Sequence, residues 1–322
     1  MKHVIIHHND FDGVISAAIL LNGVLASGDS YSLVPVMYIG NDSIHDNMLS
    51  NLARSKMSDT DENTVYIVDF LYNKICDVWI DHHRNNDGPD VPESAKEFFN
   101  PRSKSAASVV MEYIMKNVEK THASLNMVEA VKWADIIDSA SYKSLDEYIE
   151  ASSPWLQLRL LIEDYKKDHI SARIVELLCN YGFDAGLVVE IIGGINPIMQ
   201  AFRKKVDSVK GALVVSDGGI GHIITPHQND FPRYSEFYVR PDIKYSIRSF
   251  EVDKKGTRKV SVGFNNWGGF ENKINIGKTL KDIFPTGAGG HFDVGAAFCD
   301  ESEVHENINK IVSVLKGGPD EG

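Results

Sequence analysis

Three short apolar runs in the first third of the chain each stop on a side chain able to hold a cation. Val4-Ile5-Ile6 runs into His7-His8, Tyr66-Ile67-Val68 into Asp69, and Val78-Trp79-Ile80 into Asp81-His82-His83. Unbroken apolar runs of this length suit strands buried on both faces of a parallel sheet, whereas a half-exposed strand alternates apolar with polar. Leu33 to Ile39 reads as a further strand. Helical stretches follow at Val14 to Ala26, Ile44 to Lys56, Ala106 to Val118 and Asn126 to Asp138. Strands alternating with helices predict an α/β domain, a doubly wound and mostly parallel sheet with helices on both faces.

From about Ser141 to Lys210 the strand signal disappears. Tyr148 to Tyr165, Ile170 to Tyr181 and Pro197 to Val209 read as amphipathic helices, with a break at Gly193-Gly194. After Gly211 the pattern turns to short β-rich segments at Ala212 to Ser216, Gly221 to Thr225, Glu236 to Val239, Tyr245 to Glu251 and Lys259 to Phe264. Helices at Ile276 to Ile283 and Val304 to Leu315 complete a smaller α+β domain. The expected division is a catalytic domain over 1–190, a connector helix over 191–210 and a C-terminal substrate-binding domain over 211–322.

Composition removes several function classes. A formal net charge of -12 over 322 residues argues against coating long duplex DNA, which calls for a basic surface. It leaves room for a small anionic substrate, because bound cations reverse the local sign of a site. No apolar stretch approaches the roughly 20 residues of a membrane helix, and the N-terminus has no secretory core. Cys76, Cys179 and Cys299 are odd in number and far apart, which excludes a disulfide framework and fits a reducing cytoplasm.

The chemistry concentrates in four clusters: His8-Asn9-Asp10-Phe11-Asp12-Gly13, Val68-Asp69-Phe70, Ile80-Asp81-His82-His83 and Trp133-Ala134-Asp135-Ile136-Ile137-Asp138. Open α/β sheets gather ligands at the carboxyl ends of their strands, where the first three clusters lie. An Asp closing a strand more often caps the next helix, and His3 and His7 read as structural. Together, however, so many carboxylates and imidazoles in one crevice would repel one another unless cations neutralised them. Mixed Asp and His donors without a thiolate suit Mn(II), Mg(II), Fe(II) or Zn(II). They are too many for one tetrahedral ion, and a two-metal site would use them all.

These residues carry a resemblance. HNDFDG, VDF, IDHH and WADIID, in that order, resemble the four motifs of the DHH phosphoesterase superfamily. Its members include single-strand exonucleases, nano-RNases, cyclic-dinucleotide phosphodiesterases and an exopolyphosphatase. The resemblance implies two divalent cations, Mn(II) first and Mg(II) second. His8 and Asp10 would hold one. Asp12, His82 and an aspartate of the fourth motif would hold the other, with Asp69 bridging. Asp138 fits that fourth position better than Asp135. Asp81 would orient an imidazole, and His83 would contact the scissile phosphate. In the second half, Thr286-Gly287-Ala288-Gly289-Gly290-His291 resembles the glycine-rich motif of the associated C-terminal domain, with Ala288 where glycine is usual. Gly289, Gly290 and His291 would bind substrate, as would Arg248 in Tyr245-Ser246-Ile247-Arg248-Ser249. A second phosphate element is expected at Arg102-Ser103-Lys104-Ser105, where Ser105 reads equally well as a helix cap.

The function implied is a phosphoesterase that cleaves short oligonucleotides or linear dinucleotides, with Tyr238, Phe264 or Trp267 as a stacking surface for a base. The competing readings are an exopolyphosphatase and a catalytically silent nucleotide-binding module. Oligomeric state is not legible, a homodimer remaining open.

Overall fold

The computed structural model describes residues 1–37, 42–57, 62–86, 88, 91–118, 124–164, 170–228, 230–252 and 256–317. They divide into two compact units. The first comprises Met1–Lys143 and Ala151–Ile198, the second Ser144–Glu150 and Met199–Gly322.

The first unit is the doubly wound α/β domain that the sequence predicts. Its elements are β1 (Lys2–His8), α1 (Phe11–Val24), β2 (Ser30–Val36), α2 (Asp42–Lys56), β3 (Asn63–Val68), β4 (Val78–Asp81), β5 (Phe98–Phe99), α3 (Ala106–Asn117) and α4 (Leu125–Asp138). The strands form one parallel sheet in the order β2-β1-β3-β4-β5. Tyr38 and Ile39, expected in the second strand, lie outside the described residues.

Strand alternation sorts the core into two layers. Ile5, Tyr66, Val68 and Ile80 face the layer that holds α1, α3 and α4. Val4, Ile6, Val65, Ile67 and Trp79 face the other, against Leu49 and Ala53 of α2. Helix α1 packs against β1, α3 and α4, which is why it is apolar all round, with every residue from Phe11 to Leu21 buried.

The chain continues with α5 (Leu145–Glu150), α6 (Pro154–Asp164), α7 (Ile170–Asn180), α8 (Ala185–Ile192) and α9 (Ile195–Ala212). The sequence reading leaves α8 unassigned because its apolar run AGLVVEII has no helical stripe. Its ends explain it: Asp184 caps the first turn by accepting from the Leu187 amide at 3.0 Å, and Gly193 stops it at φ 72°. The division between units falls inside α9 rather than at its ends. Segment Ser144–Glu150 joins the second unit, where the Tyr148 ring stands edge-on to Phe202 and Tyr234. Among the described residues no single helix is long and apolar enough to cross a membrane.

The second unit adds β6 (Val214–Ser216), β7 (Ile220–Thr225), α10 (Ser235–Val239), β8 (Tyr245–Glu251), β9 (Thr257–Phe264), α11 (Ile276–Ile283), β10 (Ala288–Gly290), β11 (Val294–Asp300) and α12 (Val304–Gly317). Its sheet runs β10-β11-β9-β8-β7-β6, antiparallel except for the β7–β8 pair. Tyr245, Ile247, Val260, Val262 and Ala297 pack on α11 and α12 through Ile276, Leu280, Ile308 and Ile311.

Two segments depart from expectation. Glu236 to Val239 is helical, not extended. Tyr234 enters the left-handed region at φ 63°, the Ser235 hydroxyl donates to the Pro232 carbonyl at 2.6 Å, and Glu236 is drawn onto Arg248, overriding local β propensity. The expected glycine-rich loop is in part a strand, β10, paired with β11. Gly290 stands opposite Gly295 at φ 148°, and a Cβ there would strike Gly295 and Val294.

Candidate metal centre

The centre forms where β1, β3 and β4 end. Gly13 lets α1 start directly above β1, because a Cβ at that position would collide with the backbone of His8. Asp10 caps α1 with one oxygen, accepting from the Gly13 amide at 3.0 Å, and turns the other to His8 Nδ1 at 2.9 Å. One aspartate thus serves both the structural and the functional reading.

Asp69 follows the last residue of β3 and takes the left-handed conformation, φ 56°. Its amide donates to the Ile80 carbonyl at 3.0 Å, and Trp79 Nε1 donates to the next carbonyl, Phe70, at 2.8 Å. Backbone held this way in a sparsely populated region is characteristic of functional positions. The carboxylate is 1% exposed, and neither oxygen has a hydrogen-bond partner among the described residues. Oδ2 lies 3.7 Å from His8 Nδ1, while Oδ1 lies 3.8 Å from His82 Nε2 and 3.5 Å from His83 Nδ1.

Asp12 faces the opposite side of the cluster. The Ala106 and Ala107 amides at the start of α3 donate to its two oxygens at 2.6 and 3.0 Å. This helix N-terminus is where the sequence places a second phosphate element. The amides serve Asp12 instead, Ser105 caps α3 by accepting from Ser108, and Arg102 and Lys104 are exposed. Asp12 Oδ2 is 3.6 Å from His82 Nε2, and Asp138 Oδ2 is 3.4 Å from the same nitrogen. His82 Nδ1 meets the Ser103 carbonyl at 3.3 Å, so that nitrogen carries the proton and leaves the buried, unpartnered Nε2 lone pair toward the carboxylates.

Asp81 is fully buried and turned away from this group. Its Oδ1 takes the His82 amide, the His83 amide and His83 Nδ1 at 2.8, 3.3 and 2.9 Å, and its Oδ2 takes Asn86 Nδ2 at 2.6 Å. Burial lowers the pKa of His83, but the Asp81 hydrogen bond and the charges of Asp81, Asp138 and Asp12 outweigh it and bring it to about 9. Asp135 also stands apart, its Oδ1 accepting from the Ser105 and Ser108 hydroxyls at 2.6 and 2.8 Å. His7 is wholly buried with Nδ1 on its neighbour's carbonyl, and burial depresses its pKa to about 4. The sequence missed the α3 amides, whose only signal was the Ser105 cap, and Asn86, which nothing in the sequence singled out.

The donors fit divalent cations. His8, Asp10 and Asp69 can share one ion, Asp12, His82 and Asp138 another, and Asp69 with His82 and His83 forms a third compact grouping. Two donors each about 2.1 Å from one ion stand roughly 3.0–3.4 Å apart, close to the separations seen here. The two oxygens of Asp69 face different groups, as a bridge requires. Without cations the set is electrostatically unfavourable. Burial, followed by the neighbouring carboxylates, holds Asp69 and Asp12 far above the usual carboxylate range.

Arg248 and His291, which the resemblance assigns to substrate, lie in the second unit. His291 is exposed, its amide donating to the Val294 carbonyl at 2.7 Å and its carbonyl accepting from Gly277 of α11 at 2.9 Å. Arg248 is paired with the buried Glu236 and donates to Phe231 O and Ser235 Oγ at 3.0 and 3.1 Å. Its guanidinium therefore serves this unit's own structure. Arg248→Ala would leave the Glu236 carboxylate buried without its cation. The expected cost is about 3 kcal/mol, read as a lower urea midpoint for the second unit.

No protein-family model matches the chain, and no curated protein matches it in sequence. Solved structures do. A pGpG-specific phosphodiesterase, PggH from Vibrio cholerae, superposes with a TM-score of 0.61 at 16% identity, covering 99% of this chain and 100% of that one. The DHH domain of a protein described as a member of the S1p family of ribosomal proteins gives 0.60 at 15% identity, over 97% and 86%. The chain has the DHH fold. RecJ of Thermus thermophilus, in complex with Mn2+, gives 0.57 at 14% identity over 99% of this chain, which spans 52% of that longer protein. At identities of 14–16% the shared feature is the fold.

Proposed function

We propose that this protein is a two-metal phosphoesterase that hydrolyses the phosphodiester bonds of short oligonucleotides or linear dinucleotides. The observation that carries the reading is Asp69, a buried carboxylate whose two unpartnered oxygens face two separate groups of Asp and His. His8 and Asp10 would hold one ion, Asp12, His82 and Asp138 the other, with Asp69 available to both and Mn(II) as the first choice and Mg(II) the second. Cations at such a centre supply Lewis acidity toward water and toward phosphoryl oxygens. Within the chain, Asp81 fixes the ring of His83 and favours its charged form, so that His83 Nε2–H can donate to a phosphoryl oxygen as negative charge builds there. In the second unit, the Gly289-Gly290 backbone and the exposed His291 are assigned to substrate phosphate.

Two considerations support a short nucleic acid over a long duplex. The net charge of -12 disfavours backbone tracking along DNA, and the structurally similar PggH is specific for a linear dinucleotide, pGpG. Three unpaired cysteines fit a reducing cytoplasm. The test is product release by the chelated and then Mn(II)-restored protein on a linear dinucleotide, a short RNA, a cyclic dinucleotide and polyphosphate. Turnover of the dinucleotide or RNA, lost on chelation and regained with Mn(II), is the expected result. Turnover of polyphosphate alone would replace the substrate assignment, and binding of nucleotide without turnover on any substrate would replace the enzyme.

A further inference from the structure

Asp12 and His82, two members of the Asp12–His82–Asp138 group, are gripped by one short stretch of chain. In residues 103–107, the Ser103 carbonyl meets His82 Nδ1 at 3.3 Å, and the Ala106 and Ala107 amides hold Asp12 at 2.6 and 3.0 Å. The stretch is braced internally, since the Ser103 hydroxyl donates to the Ser105 carbonyl at 2.9 Å. The third member, Asp138, comes from α4, a separate element. Beyond the apolar packing of α4 in the core, the polar link from α4 to the stretch is Asp135, one helical turn before Asp138 and so on the same side of the helix. Its Oδ1 accepts from Ser105, which is fully buried, at 2.6 Å and from Ser108 in the first turn of α3 at 2.8 Å.

We propose that Asp135 is a positioning residue. It clips α4 to the 103–107 stretch and thereby brings Asp138 to 3.4 Å from His82 Nε2, completing the group on that side of Asp69. Both bonds run to a single oxygen that only accepts, so the role needs an acceptor and not a negative charge. A metal ligand at this position would need the charge. This inference rests on the two-metal reading above.

The test is Mn(II) titration of the metal-free full-length protein by calorimetry, with electron paramagnetic resonance of the half- and fully loaded states. Wild type should take up two equivalents. Asp135→Ala should weaken one of them by about 10–100-fold, as loss of a partner behind a ligand does, and leave the other unchanged. Asp135→Asn keeps the accepting Oδ1 and should bind both equivalents within a few-fold of wild type. The Ser105→Ala/Ser108→Ala pair should reproduce the alanine result. Equal weakening in Asp135→Asn and Asp135→Ala would overturn the proposal in favour of a direct ligand, and two undiminished equivalents in Asp135→Ala would overturn it outright. Thermal melts of the metal-free variants separate loss of the centre from loss of the fold. If Asp135→Ala melts early, the asparagine variant still decides between acceptor and ligand. Wild type that takes up no Mn(II) would remove the two-metal reading itself, a result distinct from any of these.

Discussion

Asp69→Asn abolishes Mn(II)-dependent hydrolysis of dinucleotides while the chain still folds; that is the expected result, and the substitution is chosen to make it interpretable. Asparagine has the shape of aspartate and tolerates the left-handed conformation that residue 69 adopts. Alanine there would add about 1–2 kcal/mol of backbone strain and confuse a catalytic loss with a structural one. Asn keeps one good oxygen donor and presents an amide nitrogen to the other group, so a bridge becomes at best a ligand to one side. The loss should exceed the roughly 10–100-fold that accompanies removal of a partner behind a ligand. Near-normal turnover by Asp69→Asn would sink the two-metal reading. In the metal-free state the variant should be no less stable than wild type. It removes a charge whose burial, and whose crowding by Asp12, Asp10, Asp81 and Asp138, already disfavours it.

The second large effect is on stability as a function of pH and metal. Asp12 and Asp69 have folded pKa values well above the unfolded value of about 4. As pH rises past that value the unfolded chain sheds protons that the folded chain retains, so folding loses stability. His83 acts in the same direction, its contribution being present below its unfolded pKa and lost as pH climbs through about 9. His7 acts in the opposite direction, but with a folded pKa of about 4 and an unfolded value near 6.5 it has nearly finished titrating in both states by about pH 7.5. Between about pH 7.5 and 9 the metal-free protein should therefore melt at progressively lower temperature. Mn(II) at about 100 times its dissociation constant adds roughly 2.7 kcal/mol, or about 5–10 °C for a unit of this size. It should also flatten the pH dependence, because the liganding carboxylates are then already deprotonated. A melting temperature unmoved by Mn(II) across this range would exclude binding at these residues.

The first unit was legible from sequence because a buried parallel sheet writes itself in one-dimensional form. Val4 to Ile6 and Val65 to Val68 are apolar on both faces, and the residues just beyond them are where such sheets collect ligands. The structure brings His8, Asp10, Asp12, Asp69, His82 and Asp138 together, each from a motif visible in the chain. What could not be read were pairings between distant side chains. Nothing in the sequence links Asp135 to Ser105 thirty residues earlier, or Glu236 to Arg248 across a turn. The helix over Ser235–Val239 was hidden for the same reason, since residues with strand propensity are held helical by tertiary partners. The strand β11 was obscured by its small residues, Gly295-Ala296-Ala297, which look like a continuation of the glycine-rich segment until the ladder with β9 is seen.

The order of the first sheet has a consequence of its own. β1 lies between β2 and β3, so the chain leaves β1 toward one edge of the sheet and, after β2, returns past it toward the other. Helices α1 and α2 cover opposite faces as a result. Where two consecutive crossovers part company, their loops diverge and a crevice opens beyond the carboxyl ends of the two strands. His8 and Asp10 stand on one lip of that crevice and Asp69 on the other. A crevice at this place is thus a consequence of winding order rather than of the side chains that line it. Chains that share about one residue in seven with this one keep its fold, and a hollow set by strand order goes with the fold.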